Sequence, residues 1–270
     1  MSRSLLRSAA YLVNRWGLRR REIVAEIPGR GLRFRVRTAD VNGRHLYKYH
    51  VLEPEVTSWM ERELRFEDDD VAVDVGANIG WYSLLIDRLA PATVPVLAFE
   101  PDPENFGLLE TNLAVNGSRR VVAVRAALGE SAGMATLYRH GESNLGRHSL
   151  LPVNQGDVLS VATVRLDDYW TRMGLGERIP RLIKMDIEGY ELPALRGATA
   201  VLARCPLLVA EFSPELMRAG GIEPAALVSF LEHAGFAPNR IGASGLVPST
   251  RSELLASDRQ LNIAWTRRQG

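Results

Sequence analysis

The side chains best suited to chemistry alternate within the segment K-M-D-I-E-G-Y-E, residues 184–191. Lys184, Asp186 and Glu188 end a predicted strand, so extended backbone would place all three on one side. A cation between two carboxylates keeps the acids ionised, and a carboxylate can take a proton from a hydroxyl group. We predict Asp186 as a general base or substrate anchor, with Lys184 and Glu188 as its partners. The alternative is a structural ion pair that caps the helix expected to begin near Tyr190.

A second group of candidates lies in the polar segment 139–150, whose side chains include His140, Ser143 and His148. Histidine titrates near neutral pH, so a histidine on a loop is a natural base for a hydroxyl group. A histidine that merely lies on the surface is the commoner case. We keep His140 among the catalytic candidates, with His148 as the alternative.

Metal chemistry has weaker support in the sequence. Oxygen ligands from Asp186, Glu188 and a loop residue such as Asn144 could hold Mg²⁺. No His-x-x-His motif or cysteine cluster supports a transition metal, and the single cysteine, Cys205, excludes an internal disulfide. We predict no metal, with Mg²⁺ as the open alternative.

A glycine-rich turn follows an earlier predicted strand, Val71–Val75, in the segment D-V-G-A-N-I-G at residues 74–80. Gly76 and Gly80 allow a tight turn and close approach of the backbone to a ligand. Asp74 can order this turn or meet an ammonium group. Because ligands of open α/β sheets bind at the carboxyl ends of strands, the turn predicts a binding site.

The next predicted strand ends in Phe99-Glu-Pro101. Glu100 can accept hydrogen bonds from both ribose hydroxyls of an adenosine. The glycine turn lacks the G-x-G-x-x-G pattern of a pyrophosphate site, because Asn78 stands at the second glycine position. The two motifs together favour an adenosyl ligand without phosphates over NAD.

Strands and helices alternate from residue 70 onward, which predicts parallel strands joined by right-handed crossovers. The expected strands are 71–75, 94–99, 121–126, 181–185, 207–212, 237–241 and 261–265. The expected helices are 79–89, 103–115, 191–202 and 224–234. We predict a doubly wound, mostly parallel, seven-stranded α/β sheet whose last two strands form an antiparallel hairpin at its edge. Residues 129–160 read as a loop-rich insertion with one short strand at 134–138.

Residues 1–65 predict an N-terminal extension of helix, hairpin and helix that packs on a core formed by residues 66–270. Alternating apolar residues predict the hairpin over 22–38, and Pro54 opens a helix over 54–65. The first 21 residues carry six arginines among apolar residues. Such a basic amphipathic helix could lie on a membrane surface, but we favour a helix packed on the domain or exposed to solvent.

Composition limits the class of protein. The 270 residues, 46% of them hydrophobic, suffice for one large core, and a net charge of +1 creates no overall field for nucleic acid. No apolar stretch reaches the roughly 18 residues of a membrane span, and no secretory signal stands out. We therefore expect a cytoplasmic globular protein whose oligomeric state the sequence leaves open.

These motifs together resemble the FkbM family of class I S-adenosylmethionine (SAM)-dependent methyltransferases. The resemblance rests on V-D-V-G-A-N-I-G-W-Y-S at 73–83, F-E-P at 99–101, A-L-G at 127–129, L-D-D at 166–168 and the 184–191 block, together with Asn112 and Asn116. It covers about residues 50–215. It implies a class I methyltransferase fold, SAM as methyl donor, and O-methylation of a hydroxyl on a sugar or secondary metabolite.

The resemblance also implies a role for each motif. The glycine turn would hold the methionine part of SAM, Glu100 the ribose, and Pro101 the edge of the adenine. A glutamate that precedes the core, Glu53, would close over the cofactor. With Asp74 from the strand end, the predicted SAM-binding set is Glu53, Asp74, Gly76, Ala77, Asn78, Gly80, Glu100, Pro101, Ala126 and Ala127.

Three other functions compete with this interpretation. An NAD-dependent oxidoreductase would need the missing G-x-G-x-x-G pattern, whose second glycine position is occupied here by Asn78. A non-catalytic module with the same fold would not need the polar residues of the 184–191 segment together. A nucleic-acid methyltransferase is disfavoured, because the chain lacks an N/D-P-P-Y/F/W motif and has no basic patch beyond residue 21. We therefore predict a hydroxylated small-molecule acceptor and no nucleic-acid partner.

Overall fold

A computed structural model describes residues 3–140, 147–153 and 156–268 of the chain. The strands within these ranges are β1 (Glu22–Ile27), β2 (Leu32–Arg37), β3 (Asp70–Val75), β4 (Val96–Phe99), β5 (Val121–Val124), β6 (Ala127–Leu128), β7 (Gly133–Tyr138), β8 (Val158–Val164), β9 (Ile179–Met185), β10 (Leu207–Phe212), β11 (Phe236–Gly242), β12 (Gly245–Pro248) and β13 (Leu261–Arg267). The helices are α1 (Arg3–Leu12), continued by a π-helical turn (Val13–Gly17), α2 (Val41–Tyr49), α3 (Pro54–Glu63), α4 (Trp81–Leu89), α5 (Pro103–Val115), α6 (Leu166–Arg172), α7 (Glu191–Arg196), α8 (Thr199–Arg204), α9 (Pro214–Ala219), α10 (Pro224–His233) and α11 (Arg251–Leu255).

The main sheet has the strand order β12-β11-β13-β10-β9-β3-β4-β5. Strands β10, β9, β3, β4 and β5 are mutually parallel, while β13 runs antiparallel to both β10 and β11. The strand order reverses direction between β3 and β9, and this switch point opens a crevice at the carboxyl ends of the two strands. The predicted fold class, a doubly wound and mostly parallel sheet, is confirmed.

Two details of the predicted sheet are wrong. The sheet has eight strands in the described part of the chain rather than seven, because Gly245–Pro248 adds an edge strand beside β11. The edge hairpin is therefore β11–β12, and β13 lies inside the sheet. The interior position suits β13 because Ile263, Ala264 and Trp265 are fully buried, as in strands covered on both faces.

Strand β3 is buried along its whole length, and the two faces of the sheet support separate apolar clusters. Strand β4 is apolar and buried throughout, and β9 is buried from Leu182 to Met185. Buried on both faces, these strands form a rigid platform. Every polar side chain at their carboxyl ends is therefore held at a fixed place beside the crevice.

The N-terminal hairpin β1–β2 covers one face of this platform. Its side chains alternate between exposed and buried, and the ring of Phe34 lies 5.6 Å from that of Trp81 on α4. Asn112 of α5 accepts a hydrogen bond from the Arg35 amide at 2.7 Å and donates to the Ile79 carbonyl at 2.9 Å. The hairpin and the residues after the glycine turn thus share one core. The division of the chain at residue 65 into an extension and a methyltransferase domain stays a prediction.

Two further predictions of secondary structure need correction. The insertion expected to be rich in loops contains β7 and β8, which with β6 form a three-stranded sheet in the order β6-β8-β7. The helix expected over 191–202 is broken into α7 and α8 at Gly197. A Cβ atom there would lie 1.9 Å from the Gly129 carbonyl oxygen, so close backbone contact requires glycine at the break.

Candidate active site

The glycine turn after β3 is held against the segment that follows β9. Gly76 has a φ of +79°, and a Cβ atom on it would lie 2.0 Å from the Asp186 carbonyl oxygen. Gly80 has a φ of +90°, and its Cβ would lie 2.7 Å from the side chain of Leu109. Both positions require glycine because of backbone conformation and lack of space. The close approach brings the two main sequence motifs together.

Glu100 lies at the base of this crevice and is 5% exposed. One carboxylate oxygen accepts a hydrogen bond from the Asn78 amide at 2.8 Å, and the other accepts from the Asp102 amide at 2.9 Å. Burial raises the pKa of Glu100 to about 8, although both amides favour the ionised form. A polar ligand that donates hydrogen bonds to this carboxyl would also favour its ionised form.

A cleft of about 530 Å³ opens above Glu100. Pro101, Ala127 and Leu128 supply part of its apolar wall, and His148 and Tyr190 supply polar side chains. Ala126 is buried but does not line the cleft. Such a mixture of apolar walls and a few polar groups is typical of a small-molecule site.

A second cleft, of about 1000 Å³, continues from the first. Both are lined by Gly76, Asn78 and Asp186. Half of the residues that line the second cleft are charged or aromatic: Glu53, Trp81, Tyr82, Arg147, Asp186, Glu188 and Glu211. Asp186 therefore lies where the two spaces meet.

Three carboxylates converge in the second cleft. Asp186, Glu188 and Glu211 each offer an oxygen within 4.8 Å of the others. The Lys184 ammonium lies behind them, 3.8 Å from an Asp186 carboxylate oxygen and 4.8 Å from the centre of the Tyr82 ring. Lys184 is fully buried, and its Nζ makes no hydrogen bond among the described residues. The cation is therefore held by charge and by the aromatic face.

Burial and mutual repulsion control the protonation of this cluster. Burial raises the pKa of Asp186, and the Lys184 ammonium acts in the opposite direction. Burial and the neighbouring Asp186 raise the pKa of Glu188 to about 8 and that of Glu211 well above its ordinary value. Burial alone would lower the pKa of Lys184, but the surrounding carboxylates outweigh it, so the pKa is raised. The cluster therefore pairs a buried cation with three acids whose pKa values are all raised by burial.

Glu188 departs from the extended geometry that the alternating pattern implies. Its φ is +52°, because the chain turns after β9 ends at Met185. The carboxylate still faces Asp186. It accepts a hydrogen bond from Gln260 at 3.2 Å and lies 3.8 Å from the Arg147 guanidinium. Lys184, Asp186 and Glu188 thus converge as predicted. The turn after β9, and not extended backbone, brings Glu188 to Asp186.

Two predicted ligands of the cofactor differ in their access to the clefts. Glu53 lines the second cleft, where the Tyr82 hydroxyl donates to it at 2.5 Å and Asn262 donates at 2.7 Å. Asp74 lines neither cleft, and it accepts a hydrogen bond from the Ser83 hydroxyl at 2.5 Å. Burial raises the pKa of Asp74 to about 6. We predicted that Asp74 either orders the glycine turn or contacts an ammonium group. Its hydrogen bond to Ser83 and its absence from both clefts agree better with the first role.

The two histidines of the insertion occupy different places. His148 lines the first cleft, and its Nδ1 accepts a hydrogen bond from the His140 amide at 3.1 Å. Burial lowers the pKa of His148, which favours the neutral ring. His140 lines neither cleft, and its catalytic role stays a prediction. Ser143 and Asn144 lie outside the described residues.

Sequence reasoning missed Glu211 and Tyr82. Glu211 stands near the end of an apolar strand, as Asp74 and Glu100 do, and this shared position was the signal that could have found it. Tyr82 lies in the first turn of α4 and has no distinctive spacing. Only the tertiary structure brings its ring over Lys184 and its hydroxyl to Glu53.

A crevice at the switch point of a doubly wound sheet, with a glycine turn and an acidic residue on adjacent strand ends, is typical of adenosine-binding enzymes. The model of the FkbM methyltransferase domain matches residues 74–238, more than half of the chain. The protein belongs to the FkbM methyltransferase family and is a methyltransferase.

The chain is also similar to individual named proteins. The chain is 26% identical to the hexuronic acid methyltransferase AglP of Haloferax volcanii over 83% of its length and 85% of the relative. It is 30% identical to methyltransferase sdnD of Sordaria araneosa over 61% of its length and 72% of the relative. A crystal structure of an FkbM methyltransferase from Methylobacillus flagellatus is 21% identical, with a TM-score of 0.49, and the match covers 81% of this chain and 49% of that one.

Proposed function

We propose that the protein transfers a methyl group from SAM to a hydroxyl group of a small molecule, a sugar or a secondary metabolite. One observation carries the proposal. The cleft above Glu100 and the cleft with the carboxylate cluster are continuous, and Asp186 lines both. A donor in the first cleft and an acceptor in the second would therefore meet beside a carboxylate.

The first cleft fits the donor. Gly76 and Asn78 line both clefts, so the backbone of the turn can approach the methionine part of SAM. Glu100 would accept the ribose hydroxyls, while Pro101 and Ala127 would border the adenine. Ala77 and Glu53 line the second cleft and would face the methionine end. Gly80, Asp74 and Ala126 would support this site from behind.

SAM, when bound, supplies a methyl group on a sulfonium, which is already activated for displacement. The protein must then align a hydroxyl with that methyl group, exclude water and remove the hydroxyl proton. Asp186, which lines both clefts, would accept this proton on its carboxylate. Its raised pKa makes it a better base than a free aspartate, and Lys184 keeps a fraction of it ionised. Glu188 and Glu211 would accept or donate hydrogen bonds to the acceptor.

The acceptor class rests on the polar lining of the second cleft and on the relatives. Carboxylates such as Asp186 and Glu188 bind hydroxyl groups well, because each oxygen can accept more than one hydrogen bond. One relative bears the name of a hexuronic acid methyltransferase, so a glycoside is the first acceptor to test. Asp186, Glu188 and Glu211 could also hold Mg²⁺, and catalysis without a metal remains our prediction.

Calorimetric titration with SAM, S-adenosylhomocysteine and NAD tests the donor. We expect both adenosyl ligands to bind and NAD not to bind. Glu100→Gln removes one charged acceptor but keeps the shape, and we expect SAM affinity to fall about tenfold or more. Glu104→Gln, on the exposed side of α5, is the matched control. Binding of NAD alone would refute the donor assignment.

Methyl transfer to a panel of glycosides and hydroxylated metabolites tests the acceptor. Asp186→Asn should lose at least about 100-fold in turnover, the scale of one general base, while SAM still binds. Full activity of Asp186→Asn on the true acceptor would show that another group removes the proton. His148→Gln and His140→Gln would then decide between the two histidines.

A further inference from the structure

Helix α1 and the π-helical turn after it pack on the protein through their more polar side. Tyr11 is 2% exposed, its hydroxyl donates to the Thr38 carbonyl, and its ring lies 6.0 Å from the ring of Tyr47. Arg7 contacts the His50 ring from the same side. This side therefore fixes the helix against α2 and the hairpin.

The opposite side of the same segment is apolar and uncovered. Its large side chains are between 51% and 68% exposed: Leu6, Leu12, Val13, Trp16 and Leu18. Ala9 and Ala10 lie exposed among them. A helix of a water-soluble protein ordinarily turns its apolar stripe to the core, and a contiguous exposed patch marks an interaction surface. We call these residues the apolar face.

Positive charge adjoins the apolar face. Arg19, Arg20 and Arg21 are exposed directly after it, and the Arg15 guanidinium lies 4.9 Å over the Trp16 ring. Residues 1–21 contain no aspartate or glutamate. Exposed leucine, valine and tryptophan beside an arginine cluster match the boundary between acyl chains and anionic headgroups.

We propose that residues 6–21 dock the protein on an anionic lipid bilayer. The apolar face enters the headgroup–acyl boundary, and Arg19, Arg20 and Arg21 contact lipid phosphates. A second copy of the chain could cover the apolar face, but residues 1–21 of that copy offer no acidic side chain to pair with the arginines. Charge complementarity therefore favours an anionic membrane. Among the described helices, none has the length and apolar composition of a membrane span.

Trp16 provides a direct readout of docking. The other tryptophans, Trp59, Trp81, Trp170 and Trp265, are all buried. A change in accessible tryptophan therefore reports on Trp16. The full chain is titrated with vesicles of phosphatidylcholine alone and with vesicles that also contain phosphatidylglycerol. With the anionic vesicles we expect a blue shift of the emission and protection from acrylamide, both weakened by raised salt.

Substitutions in the arginine cluster test the role of charge. We expect vesicle partitioning to fall on the order of 100-fold in the triple variant Arg19→Gln/Arg20→Gln/Arg21→Gln. Each arginine near an anionic surface raises the partition coefficient roughly fivefold. The matched control removes the same charge from exposed arginines elsewhere: Arg172→Gln/Arg196→Gln/Arg259→Gln. This control should partition nearly as the wild type does.

Substitutions in the apolar face test insertion by vesicle sedimentation. Val13→Ser/Trp16→Ser should lower partitioning by about tenfold or more, because it removes apolar area from the buried side. Met134→Ser, at a comparably exposed apolar position on β7, should have no effect. Equal binding to neutral and anionic vesicles, or none to either, overturns the proposal. Self-association that Val13→Ser/Trp16→Ser abolishes, without vesicle binding, would assign the face to a second copy and also overturn it.

Discussion

Replacing Lys184 by methionine removes the one cation buried behind the carboxylate cluster while keeping most of the side-chain volume. The ammonium is fully buried, 3.8 Å from an Asp186 oxygen and 4.8 Å from the centre of the Tyr82 ring. A methionine sulfur packs well against an aromatic ring. The substitution therefore changes charge much more than packing.

The distance sets the size of the effect. At an effective dielectric constant of about 20, the Lys184–Asp186 attraction at this separation is about 4 kcal/mol. The Asp186 side chain is 32% exposed, so solvent screens part of this energy, and we expect roughly half of it to remain. Without the ammonium the pKa of Asp186 rises further, and less of the base is ionised at neutral pH. Turnover at pH 7 should fall on the order of 10- to 100-fold.

Initial rates of methyl transfer across the pH range test this expectation. The loss in Lys184→Met should be largest at low pH and should shrink as the pH is raised, because hydroxide restores the ionised carboxylate. SAM affinity by calorimetry should change little. Lys48→Met is the matched control, since Lys48 is the only other lysine of the chain and lies on α2. A folded Lys184→Met protein with the wild-type rate at pH 7 would refute the proposed control of Asp186 ionisation.

Three further outcomes are expected. Gly76→Ala should abolish SAM binding and destabilise the fold, because the added Cβ would meet the Asp186 carbonyl. Gly117 has a similar φ but lies in open space, so Gly117→Ala should lower the free energy of unfolding by only about 1–2 kcal/mol. Chemical denaturation measures both changes. Burial raises the pKa of Glu100 from 4.5 to about 8, so the folded state binds more protons than the unfolded state between these pH values. Thermal melts of the ligand-free protein should therefore show stability falling as the pH rises from about 4.5 to 8. Glu100→Gln should flatten this slope. Dialysis against a chelator should leave turnover unchanged, and a loss restored by Mg²⁺ would assign the metal to Asp186, Glu188 and Glu211.

The sequence predicted the parts of the fold that depend on local pattern. Apolar runs that end in Asp74, Glu100 and Lys184-Met-Asp186 are strands because burial on both faces demands continuous apolar residues. The glycine pattern located the turn because left-handed φ angles exclude most other residues. The family, the fold class and the candidate donor residues all follow from these local signals.

Strand pairing, the break at Gly197 and the exposed side of α1 depend on which helices and strands pack together. Local sequence patterns do not encode this packing. The position of β13 inside the sheet and the added edge strand follow from competition among antiparallel pairings. The break at Gly197 follows from contact with a carbonyl far away in sequence. The apolar face of α1 has the periodicity of an ordinary core helix, and the sequence could not say which side would be covered.

The carboxylate cluster divides in the same way. The spacing along the chain was enough to predict that Lys184, Asp186 and Glu188 occur together at a strand end. Only the tertiary structure brought in Glu211 from β10 and the Tyr82 ring from α4. Electrostatic interactions act through space at a few ångströms, so the protonation of the cluster is decided by residues that are remote along the chain.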